Sequence, residues 1–106
     1  MNKFFFIKSG KSIIKLNAND IVLVQSWGNY IQIHTTNGAK YVHYKSLKAT
    51  LDTLPDEFMR VHNSFIVNLN HIHKIEDNHI YIKDHKVPVS SANRNCLYNR
   101  IDQYKL

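Results

Sequence analysis

The sequence predicts a mainly β protein with short α-helices. Apolar residues occur in short runs or with period two over most of the chain, as in "DIVLVQS" (Asp20–Ser26) and "NYIQIHT" (Asn29–Thr35). Turn-forming pairs separate those runs: Ser9-Gly10, Asn37-Gly38 and Asp77-Asn78. The period becomes helical only twice, after Lys45 and after Ser90.

In chain order, "KFFFIK" and "KSIIKL" flank Ser9-Gly10 and read as a hairpin. "DIVLVQS" is apolar without alternation, as in a central strand covered on both faces. In "NYIQIHT", Ile31 and Ile33 point one way and Tyr30, Gln32 and His34 the other. Asn37-Gly38 is the strongest hairpin signal, because both residues tolerate positive φ, and "KYVHY" (Lys40–Tyr44) returns antiparallel. Leu47, Leu51 and Leu54 then fall at i, i+4 and i+7. Ser46 can cap that helix and Pro55 ends it. So short a helix depends on tertiary packing.

"FMRVHNSFIVN" (Phe58–Asn68) alternates until Asn63 and Ser64 interrupt it. Either Arg60, His62, Asn63 and Ser64 satisfy one another in a turn, or they present donors to a partner. "HIHKIE", "HIYIKD" and "KVPVS" supply further strands, and Pro88 directs the last to a sheet edge. Ser90 or Ser91 caps a final helix, about Ala92–Tyr104, with Leu97, Ile101 and Tyr104 as its inner stripe and Cys96 also inward. Arg94, in its first turns, opposes the helix dipole, which suggests another reason for its presence.

With 106 residues, the chain reads as a single domain spanning positions 1–106. No apolar run approaches the ~20 residues of a membrane span, so no membrane partner is expected. A lone cysteine cannot form an intramolecular disulfide, and a reducing cytoplasm fits best. Lys plus Arg number 14 against 8 acids, a net charge of +6 and a pI near 9.5. That balance suits a polyanion, although charge alone does not choose between nucleic acid and solubility.

Catalysis finds no support. GxSxG is missing, three glycines cannot build a phosphate-cradling loop, and Asp56-Glu57 reads as a solvated pair. No cofactor is implied. His71 and His73 would share one strand face at i, i+2, a spacing that can chelate a borderline metal. A third ligand is offered by Asp77, His79 or Cys96 only through availability, so no metal is assigned. Trp27 can stack on a base or plug the sheet end, the second being the commoner role.

From about Lys11 to Ile101 the chain resembles the LytTR-type (LytR/AlgR-type) DNA-binding domains. The densest likeness is F-x-R-x-H-x-S-x-x-V-N, met by Phe58, Arg60, His62, Ser64, Val67 and Asn68. GNY after a strand and S-L-K-x-x-L before L-P are also in place. Ser91 and Ala92 follow Ser90 where a basic residue is common, and Arg94 is the nearest guanidinium. The resemblance implies an elongated, mainly antiparallel β fold that is not a helix-turn-helix. Its loops would enter successive major grooves of double-stranded DNA. It further implies the output domain of a bacterial response regulator or membrane-linked regulator, without catalysis. Such domains often bind promoter repeats in pairs. An upstream receiver or sensor domain would lie outside this chain.

Strands that hold a loop rigidly let it put one or two side chains on base edges. Three loops qualify: Trp27–Tyr30, His62–Ser64 and Ser90–Arg94. Asn63 is the leading base reader, since an amide pairs bidentately with adenine. Asn29 or Tyr30 is the candidate in the first loop, and Asn93 or Arg94 in the third. Lys45, Ser46, Lys48, Arg60, His62, Ser64 and Ser91 are the phosphate or scaffold candidates. Arg60 and His62 are expected to bond the turn that displays Asn63, with Ser64 and Asn68 capping local amides. The alternative is a protein-interaction or metal-sensing module on the same β scaffold, motivated by His71 and His73.

Overall fold

The computed structural model describes residues 3–106, so the first two positions of the expected 1–106 domain lie outside the described residues. A five-stranded antiparallel sheet forms the middle layer. Its strands are β3 (Ile21–Trp27), β4 (Tyr30–Thr35), β5 (Lys40–Tyr44), β6 (Phe58–His62) and β7 (Phe65–Asn68), ordered β5-β4-β3-β7-β6. The hairpin β1 (Phe4–Ser9)/β2 (Ser12–Asn17) and helix α1 (Leu47–Thr53) pack on one face. The other face meets a second antiparallel sheet and helix α2 (Ser91–Asp102). That sheet holds β8 (Ile72–Glu76), β9 (His79–Ile82) and β10 (His85–Pro88), with β9 central. The body measures 45 × 27 × 26 Å.

The unalternating run Ile21–Val24 is buried throughout because β3 is central and covered on both faces. Val24 joins the core beneath α1, and Leu23 the core beneath β9 and α2. A register shift between Ile21 and Leu23 turns Val22 to the same side as Leu23. Each fully buried aliphatic of this kind contributes about 1.5–3 kcal/mol. Asn68, fully buried, ties the layers together. Its Nδ2 donates to the Ile21 carbonyl (3.0 Å), and its Oδ1 accepts from Asn70 N (2.9 Å) at the start of a 3-10 turn, Leu69–His71.

Several local expectations are corrected. His71 closes that 3-10 turn, its Nε2 2.6 Å from the Asn19 carbonyl, whereas His73 lies in β8; the two do not share a strand face. Among the described residues no three His, Cys, Asp or Glu side chains gather as a metal site would require. At Asn37-Gly38 only Gly38 takes positive φ (86°). Asn37 works through its side chain, Oδ1 accepting from Thr35 Oγ1 (2.6 Å) and Ala39 N (3.0 Å). The turn with two positive φ values is Asp77-Asn78, at 50° and 58°. In the first hairpin Ser9 pairs with Ser12, so Gly10 and Lys11 make the turn.

The final helix starts at Ser91 after an N-cap Ser90 whose side chain bonds no backbone amide. Instead Ser90 Oγ accepts from Asn93 Nδ2 (2.6 Å). Leu97 is fully buried and Ile101 half-buried, but Tyr104 lies beyond the helix end and is exposed. Cys96 is exposed as well, because its neighbour Leu97 takes the inward position.

Away from the loops considered below, His34 on β4 meets His85 on β10 edge to face, ring centroids 4.7 Å apart. His34 Nε2 is buried with no hydrogen-bond partner among the described residues. Burial, then the neighbouring His85 and Lys40, depress its imidazole from the usual 6.5 to about 4.

Candidate nucleic-acid interface

Strand register brings the expected loops to one end of the central sheet. Trp27 pairs with Tyr30 across the β3–β4 turn, and Tyr30 pairs with Tyr44 at the end of β5. Gln25 pairs with Phe65, and Phe65 with His62, so the β6–β7 turn points the same way. Ser26 N donates to the Ser64 carbonyl (2.9 Å), joining the first two loops. Ser90 N donates to the Val61 carbonyl (2.9 Å), which brings the start of α2 beside them. Lys45 to Lys48 follow directly from β5 at this end.

The β6–β7 turn is built by its own polar side chains. Arg60 donates from Nε to the His62 carbonyl (3.3 Å) and from Nη2 to the Asn63 carbonyl (2.8 Å). His62 Nδ1 accepts from Ser64 N (3.1 Å), which places the proton of a neutral ring on Nε2. A register shift between Arg60 and His62 accommodates the turn. Asn63 is exposed, and its side chain bonds nothing among the described residues. The mutual satisfaction and the outward display therefore belong to different atoms: Arg60 and His62 hold backbone, and the Asn63 amide stays free. Ser64 contributes its backbone rather than its hydroxyl; Asn68, farther along, does cap an amide.

In the first loop Gly28 takes positive φ (60°), and Asn29 and Tyr30 are exposed. The Tyr30 and Tyr44 rings stand edge to face at 5.3 Å. Trp27 is 56% exposed, which overturns the expectation that it plugs the sheet end. In the third loop Asn93 is half-buried and engaged with Ser90, whereas Arg94 and Ser91 are exposed. Arg94 Nε donates to the Val89 carbonyl (3.3 Å), leaving its terminal NH2 groups without partners among the described residues. Ser46 caps α1, its Oγ accepting from Ala49 N (3.0 Å). Lys45 is half-buried and Lys48 exposed.

The end is therefore cationic and aromatic. Lys45, Lys48, Arg60 and Arg94 lie in segments 27–30, 45–48, 60–65 and 89–95, none of which contains an acid. Flanking acids lie outside those segments: Asp52, one helical turn beyond Lys48 in α1, and Asp77, beside Asn78, whose carbonyl accepts from Val89 N (2.9 Å). Such an arrangement offers phosphate-binding cations around exposed amide, phenol and guanidinium donors. Tyr44, 70% exposed, joins this surface without having been expected there from its sequence context. Its signal was present: the alternation of "KYVHY" puts Tyr44 on the same side as Val42.

The model of the LytTr DNA-binding domain family matches residues 11–102, almost the whole chain. The chain belongs to the LytTR DNA-binding domain family. Its relatives include the sensory transduction protein LytT of Bacillus anthracis, 38% identical over 87 residues, or 76% of this chain. LytT of Bacillus cereus matches to the same extent. The chain covers 35% of each of these curated relatives. A solved LytTr DNA-binding domain from Bacillus cereus superposes with a TM-score of 0.84 at 22% identity, covering 95% of this chain and 98% of that one. The antiparallel arrangement of this LytTR domain is thus the family's fold. No described helix is long and apolar enough to cross a membrane.

Proposed function

We propose that this domain binds double-stranded DNA sequence-specifically, as the output domain of a bacterial response regulator in the cytoplasm. In this reading the three loops enter successive major grooves. Two copies occupy promoter repeats, and a receiver or sensor domain is supplied by a longer chain. Positions 1–106 act as one DNA-binding unit without catalysis. Asn63 reads a base edge, assisted by Asn29 or Tyr30 and by Arg94. Lys45, Lys48 and Ser91 meet phosphates, while Arg60, His62 and Ser64 shape the β6–β7 turn and Ser46 the start of α1. Asn93 is the weaker of the two third-loop candidates, because its amide already serves Ser90.

The observation that carries this proposal is the grouping of three loops at one sheet end, around an Asn63 held forward by backbone hydrogen bonds. Separation of His71 and His73 removes the geometry that motivated a metal-sensing role. Selection of bound sequences from a random duplex pool tests the reading. Enrichment of a repeated motif is expected; an unenriched pool would overturn sequence specificity.

A further inference from the structure

The DNA-binding reading leaves a cleft on the α1-covered face of the central sheet unused. It lies among hairpin β1–β2, strands β3 to β5 and α1, and has a volume of about 90 Å³. Val24, Ile33, Leu16 and Leu54 supply apolar walls. Thr50, Thr53, His43 and Lys45 are its polar lining. Both threonines are already satisfied: Thr50 Oγ1 donates to the Ser46 carbonyl and Thr53 Oγ1 to the Thr50 carbonyl, each at 2.8 Å. His43 and Lys45 have no hydrogen-bond or ion-pair partner among the described residues.

A lysine side chain without a partner, lining an apolar cleft, suits an anionic head on an apolar body. The cleft is smaller than the roughly 150 Å³ dry cavity that takes benzene, so the body must be small. We propose that the cleft binds a small carboxylate with a short or branched alkyl chain. The chain packs on Val24, Ile33 and Leu54, and the carboxylate accepts from Lys45. His43 adds a second donor through a ring N–H. Lys45 is also assigned to phosphate above, so the ligand and DNA compete for one cation. Occupancy of either site then weakens the other by the same factor. This coupling, unlike the cleft itself, rests on the DNA-binding reading.

Isovalerate is a suitable probe, and isoamyl alcohol is its uncharged counterpart with the same carbon skeleton. Methyl NMR titration of the 106-residue chain should give saturable shifts at Val24, Ile33 and Leu54, with Ile80 and Ile82 unmoved. The alcohol should bind about tenfold more weakly, the value of one charge-assisted hydrogen bond. Lys45→Gln should abolish that difference by weakening the acid to the level of the alcohol. Absence of saturable shifts in the unmodified protein, or equal affinity for acid and alcohol, would overturn the site. Isovalerate should also lower affinity for selected DNA; bound isovalerate with unchanged DNA affinity would overturn the coupling alone. A chain that binds no DNA would overturn the proposed function, while the NMR titration still decides the cleft.

Discussion

Asn63 and Arg60 sit three positions apart and do opposite things. The guanidinium is committed to the carbonyls of His62 and Asn63, and the amide is committed to nothing among the described residues. Asn63→Ala should therefore cost about 1–3 kcal/mol on a selected site and little on random duplex, measured by fluorescence anisotropy. Lys48→Ala should weaken both alike, as a phosphate contact would. Equal losses from both variants on both DNAs would remove Asn63 from base reading. His34 gives a prediction separate from DNA. Its depressed imidazole favours proton binding by the unfolded chain, so stability is fully present above pH 6.5 and declines as pH falls towards about 4. His34→Leu should flatten that part of the pH–stability profile in urea melts. The polar turn was legible as residue types, Arg60-x-His62 before Asn63-Ser64. Which atom faced outward was not, because donor direction depends on the register shift between Arg60 and His62. Trp27 was misjudged for a related reason: its burial depends on whether another layer covers that sheet corner, and none does.

Elements with a strong local signal were readable from the chain. Ile21–Val24 declared a doubly covered strand by lacking alternation, and Leu47, Leu51 and Leu54 declared α1 by their spacing. Helix α1 has only seven residues, so its cap matters. Ser46→Ala should destabilise the domain by about 1 kcal/mol in chemical denaturation, because Ala49 N loses its acceptor. Ser46→Asp should restore most of that loss, which separates capping from hydroxyl packing. The end of α2 was less readable. Tyr104 keeps the apolar spacing from Leu97 and Ile101, yet the regular helix stops at Asp102 and leaves it in solvent. Periodicity reports which residues could share a face, not where the neighbouring sheet ceases to cover it.

Across the whole molecule, the antiparallel register was what sequence could not supply. Loops separated by dozens of residues meet because Ser26 reaches Ser64 and Ser90 reaches Val61, contacts set by strand order. Lys45, Lys48, Arg60 and Arg94 then act beside one cluster of tips, on a chain of net charge +6. Affinity for any duplex should fall linearly on a log–log plot against salt concentration, with a slope near −0.9 per phosphate neutralised. Lys48→Ala should make that slope shallower by about one, whereas Asn63→Ala should leave it unchanged. An affinity that does not change with salt would contradict phosphate contacts.

The clamp of Arg60 on its neighbours' main chain has a practical corollary. Because it grips carbonyl oxygens, its hold does not depend on the chemistry of the Asn63 side chain. Libraries randomised at positions 29, 63 and 94 should consequently yield folded members with altered operator preference, whereas diversity at position 60 should chiefly yield poor binders. New promoter specificities could thus evolve on an unchanged frame.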